Sequence, residues 1–159
     1  MRLLCLILMF FVLCFTGVRQ VDAEQPHIVF LIAEKEYQTE KTLPDFCEQY
    51  VHHGRVSFVY ADPHEPNKLI GSEAVDTADL LFVSVRRRTL PPQQLNRIRR
   101  YVQSGKPVIG IRTASHAFQK SDNEMFDRKV MGGNYLGHFS NESLKVINVV
   151  KAHPVLRGV

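Results

Sequence analysis

The residues best suited to chemistry follow directly on a short apolar run, residues 107–111 (PVIGI). The β-branched residues of this run are typical of a strand that is buried on both faces of a parallel sheet. Open α/β sheets bind ligands and place nucleophiles where such strands end. Arg112 stands at that position, and a guanidinium stays protonated in proteins. Position 112 therefore cannot supply a nucleophile.

Thr113, Ser115 and His116 follow on the same turn. Nucleophilic catalysis uses a hydroxyl beside an imidazole, so Ser115 with His116 is one candidate pair. Adjacent residues on a turn seldom point at each other, however, and capping of a following helix is the favoured role of the two hydroxyls. In either case a helix start next to Arg112 would hold a carboxylate, a phosphate or a sugar hydroxyl.

Three consecutive arginines, Arg86, Arg87 and Arg88, follow another apolar run. Strand alternation sends Arg86 and Arg88 to one side and Arg87 to the other. One or two of them could then clamp an anionic group bidentately. The alternative is a solvated basic loop that pairs with Glu34 or Glu36.

Two further loops carry candidate residues. Glu36 and Tyr37 lie after the first apolar run, where the glutamate could act as a general base or accept hydrogen bonds from a sugar, and the tyrosine could contact a ligand. A surface role is the alternative for Glu36. Residues 132–138 (GGNYLGH) are loop-like, but they lack the lysine and the strand-loop-helix context of a phosphate loop. This argues against nucleotide binding by that route.

The composition narrows the function classes. A chain of 159 residues with 45% hydrophobic content can form one domain with a real core. The net charge of +4 is too small and too dispersed to indicate nucleic-acid binding. His116, His138 and His153 have no metal-ligand spacing, so we expect neither a metal nor another cofactor.

Residues 1–23 have the layout of a secretory signal peptide, with Arg2 before an apolar run (3–15) and a small residue at the end. The run is shorter than a helix that spans a bilayer needs to be. Its removal would leave residues 24–159 as an exported domain, periplasmic or secreted, without membrane contact. Cys47 would then be the single thiol of the exported domain. Because it lies in a helical pattern, we expect Cys47 to act as a small buried hydrophobic residue and not as a nucleophile.

The elements that must position these residues alternate between strand and helix patterns. The patterns predict strands at 27–32, 55–61, 78–85, 107–111 and 143–150, and helices at 42–52, 90–104 and 123–131. Strands that are joined through helices build a parallel sheet with helices on both faces. The sequence therefore predicts an α/β fold, in which the arginine loop lies beside the turn at Arg112.

Several separated segments carry a resemblance to a known family. They are 31–45 (LIAEKEYQTEKTLPD), 81–88 (LFVSVRRR), 108–118 (VIGIRTASHAF), 132–138 (GGNYLGH) and 153–159 (HPVLRGV). In this order they resemble the ThuA-like (trehalose-utilisation) family of the class I glutamine amidotransferase-like superfamily. The resemblance implies a flavodoxin-like three-layer α/β/α sandwich with a mainly parallel sheet. Family members continue beyond the last segment, so the chain is expected to be the amino-terminal part of such a domain, truncated at its C-terminus.

The resemblance also has consequences for the site. Amidotransferases carry a cysteine in a Gly-x-Cys-x-Gly elbow, and in the matching residues 110–114 Arg112 replaces the cysteine and Ala114 the second glycine. Glutamine amidotransferase activity is therefore not expected. The resemblance places His138 near the pocket, which makes it the candidate general acid or base. A histidine hydrogen-bonded within its own loop is the alternative.

Together these features predict an exported domain that acts on, or binds, a carbohydrate-derived small molecule. The assignment of the ligand to sugars is implied by the resemblance to the ThuA-like family. As an enzyme it would be a hydrolase, lyase or isomerase of oxidised sugars. His138 and Glu36 would then transfer protons, while Arg112 stabilised the developing charge. A non-catalytic binding or interaction module and a truncated product are the alternatives, and a homo-oligomer is left open.

Overall fold

The computed structural model describes residues 25–119, 122, 125–137, 153, 154 and 157. In this part of the chain, strands pair in one sheet in the order β3-β2-β1-β4-β5. The strands are β1 (His27–Ala33), β2 (Arg55–Ala61), β3 (Leu69–Ile70), β4 (Leu80–Val85) and β5 (Val108–Gly110). β1, β2, β4 and β5 run parallel, and β3 is antiparallel to β2. The expected α/β fold with a mainly parallel sheet is therefore confirmed.

Two α-helices, α1 (Thr39–Tyr50) and α2 (Pro92–Gln103), lie on opposite faces of the sheet. The alternation of β1 shows this directly: Phe30 and Ile32 pack with buried residues of α1, whereas Val29 and Leu31 belong to the cluster that contains the buried face of α2. Because successive strand residues point to opposite faces, one strand serves both halves of the core.

Shorter helical segments complete the described part. Two 3₁₀-helices span Ser72–Thr77 and Arg112–His116, and a π-helical turn spans Asp127–Met131. None of the described helices is long and apolar enough to cross a membrane. The signal peptide (1–23), the strand at 143–150 and His138 lie outside the described residues.

The prediction for the third helix was right over the residues that can be compared, since residues 125–131 are helical. Two other predictions need correction. α1 begins at Thr39, three residues before the predicted start at 42, because a carboxylate from the preceding loop satisfies its first N–H groups.

The run 107–111 was expected to be buried on both faces, but Ile109 is 44% exposed. Within the described residues, β5 pairs with β4 and is the last strand of the sheet on that side. β3 was not predicted; its two residues are too few to show a period.

Candidate functional site

The loops that follow β1, β4 and β5 meet at one edge of the sheet. Backbone hydrogen bonds tie the strand ends together: Arg86 donates to Ala33 at 3.2 Å, and Ile111 donates to Val83 at 3.1 Å. The chain passes from β1 to β2 on one side and reaches β4 on the other. Ligands of open α/β sheets bind at the carboxyl edge where the strand order reverses in this way. This edge is therefore the candidate site.

Each of these loops contains one residue with left-handed backbone geometry. Among the described residues, the non-glycine positions with positive φ are Gln38 (52°), Arg87 (49°) and Arg112 (41°). Such a conformation costs an L-residue roughly 1–2 kcal/mol. Backbone strain of this kind concentrates at functional sites, where the surrounding structure maintains it.

A buried carboxylate, Glu34, organises the loop after β1. Its Oε2 accepts hydrogen bonds from the backbone N–H groups of Glu36 at 2.6 Å and Tyr37 at 2.9 Å. Its Oε1 accepts from the N–H of Thr39 at 3.2 Å and from the hydroxyl of that threonine, which in turn accepts from Ser84 at 3.0 Å. Glu34 thus caps α1 from within the loop and fixes the backbone of the two candidate residues.

The ionisation of Glu34 follows from these contacts. Burial acts to raise the pKa of this carboxyl, but the hydrogen bonds from the Thr39 side chain and from the backbone of residues 36, 37 and 39 outweigh it, so the pKa is lowered. Sequence reasoning did not predict that Glu34 organises this loop. The available signal was an acidic residue five positions before a threonine at a helix start.

Arg86 pairs with Glu36. Its Nη2 lies 2.7 Å from Oε1 of the glutamate, and the two side chains are 28% and 42% exposed. The ion pair with Glu36 that the sequence allowed is therefore present. The Nε of Arg86 is buried and has no hydrogen-bond partner among the described residues.

The three neighbouring arginines alternate in burial: Arg86 and Arg88 are half-buried, whereas Arg87 is exposed. The Nε of Arg88 donates to the carbonyl of Ala33 at the end of β1, at 2.9 Å. Burial lowers the pKa of Arg88, and the nearby charge of Arg86 lowers it further.

Arg112 begins a 3₁₀-helix directly after β5 and is exposed, as expected for a residue on a turn at a strand end. Its guanidinium carbon lies 3.7 Å from the centre of the Tyr37 ring, a cation–π contact that joins the loop after β5 to the loop after β1. The structure therefore brings Glu36, Tyr37, Arg86 and Arg112 to one place.

Ser115 and His116 were not expected to point at each other, and that prediction was wrong: Oγ of Ser115 lies 3.1 Å from Nδ1 of His116. Oγ of Ser115 also lies 3.4 Å from the carbonyl oxygen of Arg112, one turn back. The capping role expected of Thr113 is not seen in the described residues. Thr113 is 2% exposed, and its Oγ1 has no hydrogen-bond partner within the described part of the chain.

The glycine-rich loop packs against the same turn. The ring of His116, itself buried, stacks on Tyr135 with centroids 4.3 Å apart. Asp127 holds the loop: its backbone carbonyl accepts from Gly133 at 2.9 Å, and its Oδ2 accepts from the N–H of Tyr135 at 2.6 Å. Sequence reasoning missed Asp127, which lies in a helical pattern and gives no signal of a loop contact.

The one cysteine of the described residues lies away from this edge. Cys47 is buried on α1 among aromatic and aliphatic residues, and burial raises the pKa of its thiol. Its predicted role as a small buried hydrophobe is confirmed. Because a thiolate is the reactive form, Cys47 is a poor nucleophile.

Two features of the described residues concern other kinds of site. No group of three or more His, Cys, Asp or Glu side chains there is placed to hold a metal ion. A groove of ≈ 450 Å³ lies between α2 and the segment 118–130, and its lining includes Leu95, Ile98 and Phe126. None of the candidate residues lines this groove.

The fold and the site together define an α/β protein whose strand ends carry a cluster of arginines. No protein-family model, curated protein sequence or solved structure matches this chain. The likeness to the ThuA-like family therefore depends on the sequence segments alone.

Proposed function

We propose that the chain is an exported ThuA-like domain that binds a small carbohydrate-derived molecule at the carboxyl edge of its sheet. The complete fold would be a flavodoxin-like α/β/α sandwich. The strand order β2-β1-β4-β5 and the helices on opposite faces support this architecture. The observation that carries the proposed site is the convergence of Arg86, Arg88 and Arg112 on the loop after β1.

The charges at this edge favour a ligand with anionic or strongly polar oxygens. Three guanidinium groups, those of Arg86, Arg88 and Arg112, lie at this edge with two carboxylates, Glu34 and Glu36. Glu34 already accepts four hydrogen bonds within its own loop. Positive charge is therefore in excess, and guanidinium groups bind carboxylates and oxyanions through paired N–H donors.

The proposed chemistry is proton transfer on an oxidised sugar. Removal of a proton next to a sugar carbonyl leaves negative charge on the carbonyl oxygen, and Arg112 would stabilise that charge. Glu36 and His138 would accept and return the proton. Transfer through a thiol is not proposed, because Arg112 occupies the elbow and Cys47 is buried on α1.

A non-catalytic binding module is the second candidate. The ion pair of Glu36 with Arg86 favours it, because Oε1 of Glu36 is already engaged by the guanidinium at 2.7 Å. In that case the same residues would bind the sugar without changing it.

Turnover and binding assays on 3-keto sugars and their parent sugars would test both candidates. We expect saturable binding by the wild-type protein, and a loss of affinity of about tenfold or more in Arg112→Ala, since this removes a charged contact. Arg55→Gln is the matched control, because Arg55 is an exposed arginine at the opposite end of a parallel strand. Turnover that is lost in His138→Ala identifies an enzyme, whereas binding without turnover identifies a module. Unchanged turnover and binding in both Arg112→Ala and His138→Ala would refute the site.

Export is tested separately by sequencing the amino terminus of the protein that accumulates outside the cytoplasm. The expected first residue is Glu24. A product that retains residues 1–23 would refute the predicted cleavage.

A further inference from the structure

The pair between Arg86 and Glu36 uses only part of what the arginine offers. Nη2 of Arg86 contacts a single oxygen of the glutamate, Oε1, at 2.7 Å. The Nε of the same guanidinium has no hydrogen-bond partner among the described residues, although it is buried. Nε and Nη2 form one edge of the guanidinium, whose two N–H groups match the two oxygens of a carboxylate. The ion pair with Glu36 uses Nη2 of this edge and leaves Nε unused.

Glu36 can leave this position without disturbing the fold. Its backbone N–H is held by the buried carboxylate of Glu34 at 2.6 Å, so the loop keeps its path when the side chain rotates. The side chains of Glu36 and Arg86 are 42% and 28% exposed, and ion pairs with this degree of exposure are weak. A ligand that makes both hydrogen bonds to Arg86 can therefore compete.

The surrounding charges determine what must replace Glu36. Arg88 lies two residues from Arg86 on the same loop, and after burial the charge of Arg86 is the second cause that lowers the pKa of Arg88. Arg112 lies over the ring of Tyr37, the residue next to Glu36. Departure of the glutamate side chain would leave these guanidinium groups without its negative charge. A neutral sugar cannot restore that charge, but a sugar acid can.

We propose that Glu36 occupies the place of a ligand carboxylate in the ligand-free protein, and that the ligand is a sugar acid whose carboxylate displaces Glu36 and binds Arg86 through Nε and Nη2. This inference rests on the proposed function and adds the ligand class. Glu36 then competes with the ligand for Arg86 and favours ligands that carry a carboxylate over neutral ones. Arg86 is the residue that recognises the acid group.

The test compares hexuronates with their neutral hexoses by isothermal titration calorimetry on the whole protein. The probes are glucuronate and galacturonate, with glucose and galactose as counterparts. We expect the acids to bind about tenfold or more tightly than the hexoses, as a charged bidentate contact implies. Glu36→Gln should increase the affinity for the acids about three- to tenfold and leave the hexoses unchanged, because the competing charge is gone.

Variants at Arg86 should lower the affinity for the acids, whereas Glu36→Gln should raise it. Arg86→Gln should reduce the affinity for the acids to that for the hexoses, and Arg86→Lys should recover only part of it, because an ammonium lacks the paired N–H edge. Glu40→Gln is the matched control for charge, since Glu40 is exposed in the first turn of α1. It should leave both affinities unchanged. Circular dichroism of each variant verifies that it is folded.

The outcomes separate the two proposals. Equal binding of acids and hexoses, or an affinity for the acids that Glu36→Gln leaves unchanged or lowers, would overturn the inference while the proposed function stood. An equal gain in Glu40→Gln would also overturn it, because the effect would then be general electrostatics. Absence of binding for both kinds of sugar would overturn the inference, whereas the proposed function fails only when the 3-keto sugars do not bind either.

Discussion

Glu34→Gln is the substitution that most directly tests how the site is built. The carboxylate of Glu34 accepts four hydrogen bonds, two at each oxygen, from the loop after β1 and the start of α1. Glutamine keeps one acceptor oxygen and places an NH₂ group where the other was. Two donors then lose their acceptor. At about 1–2 kcal/mol for each bond, we expect the free energy of unfolding to fall by about 2–4 kcal/mol at pH 7.

The pH dependence provides a second and independent readout. The pKa of Glu34 is lowered in the folded protein, so its contribution to stability is present above the unfolded pKa of about 4.3 and is lost as the pH falls through the folded pKa. A protonated glutamate resembles glutamine in having one acceptor oxygen. The difference between wild type and Glu34→Gln should therefore shrink as the pH falls below about 4.

Urea unfolding at pH 7 and at several lower pH values measures both effects. Glu40→Gln, an exposed substitution one residue into α1, should change stability by less than about 0.5 kcal/mol. A Glu34→Gln variant as stable as wild type at pH 7 would refute the role of Glu34. A difference that persisted unchanged at low pH would show that the charge is not its cause.

The remaining predictions concern the glycine-rich loop, the elbow and the thiol. Gly133→Ala should lower stability by about 1–3 kcal/mol in urea unfolding, because its Cβ would clash with Oδ1 of Asp127. Gly137→Ala, whose Cβ would meet no described residue within 4 Å, is the control, and equal effects would contradict the contact. Arg112→Gly should be more stable than Arg112→Ala by about 1 kcal/mol, because φ is 41° there; the reverse order would argue against strain. In a chain with serines at positions 5 and 14, Cys47 should react with a thiol reagent much more slowly when folded than in urea. Equal rates would show that the thiol is accessible.

Some elements could be predicted to within one or two residues. β2 spans Arg55–Ala61, as the alternation between Gly54 and the following turn predicted. α2 was expected at 90–104 and spans Pro92–Gln103, because its apolar positions recur on one face and proline and glycine mark its ends. These patterns depend on residues that are close together in sequence.

The features that were misjudged depend on side-chain contacts, turn geometry and neighbouring elements that periodicity does not record. α1 begins early because Glu34 reaches forward across the loop, which periodicity does not record. The exposure of β5 depends on what lies on its outer side, and a β-branched run looks the same in the middle of a sheet and at its edge. The contact between Ser115 and His116 required the 3₁₀ geometry of the turn.

By itself, the sequence determined the alternation of strands and helices, the position of an arginine at a strand end and the burial of Cys47. Residue type and short-range periodicity are sufficient for these. The tertiary structure alone decided that Arg86 pairs with Glu36, that Arg112 lies on Tyr37 and that Tyr135 stacks on His116. The first two of these pairs join loops that follow different strands, and their side chains meet because parallel strands bring their carboxyl ends to one edge of the sheet. The third depends on the contact of the glycine-rich loop with the turn after β5.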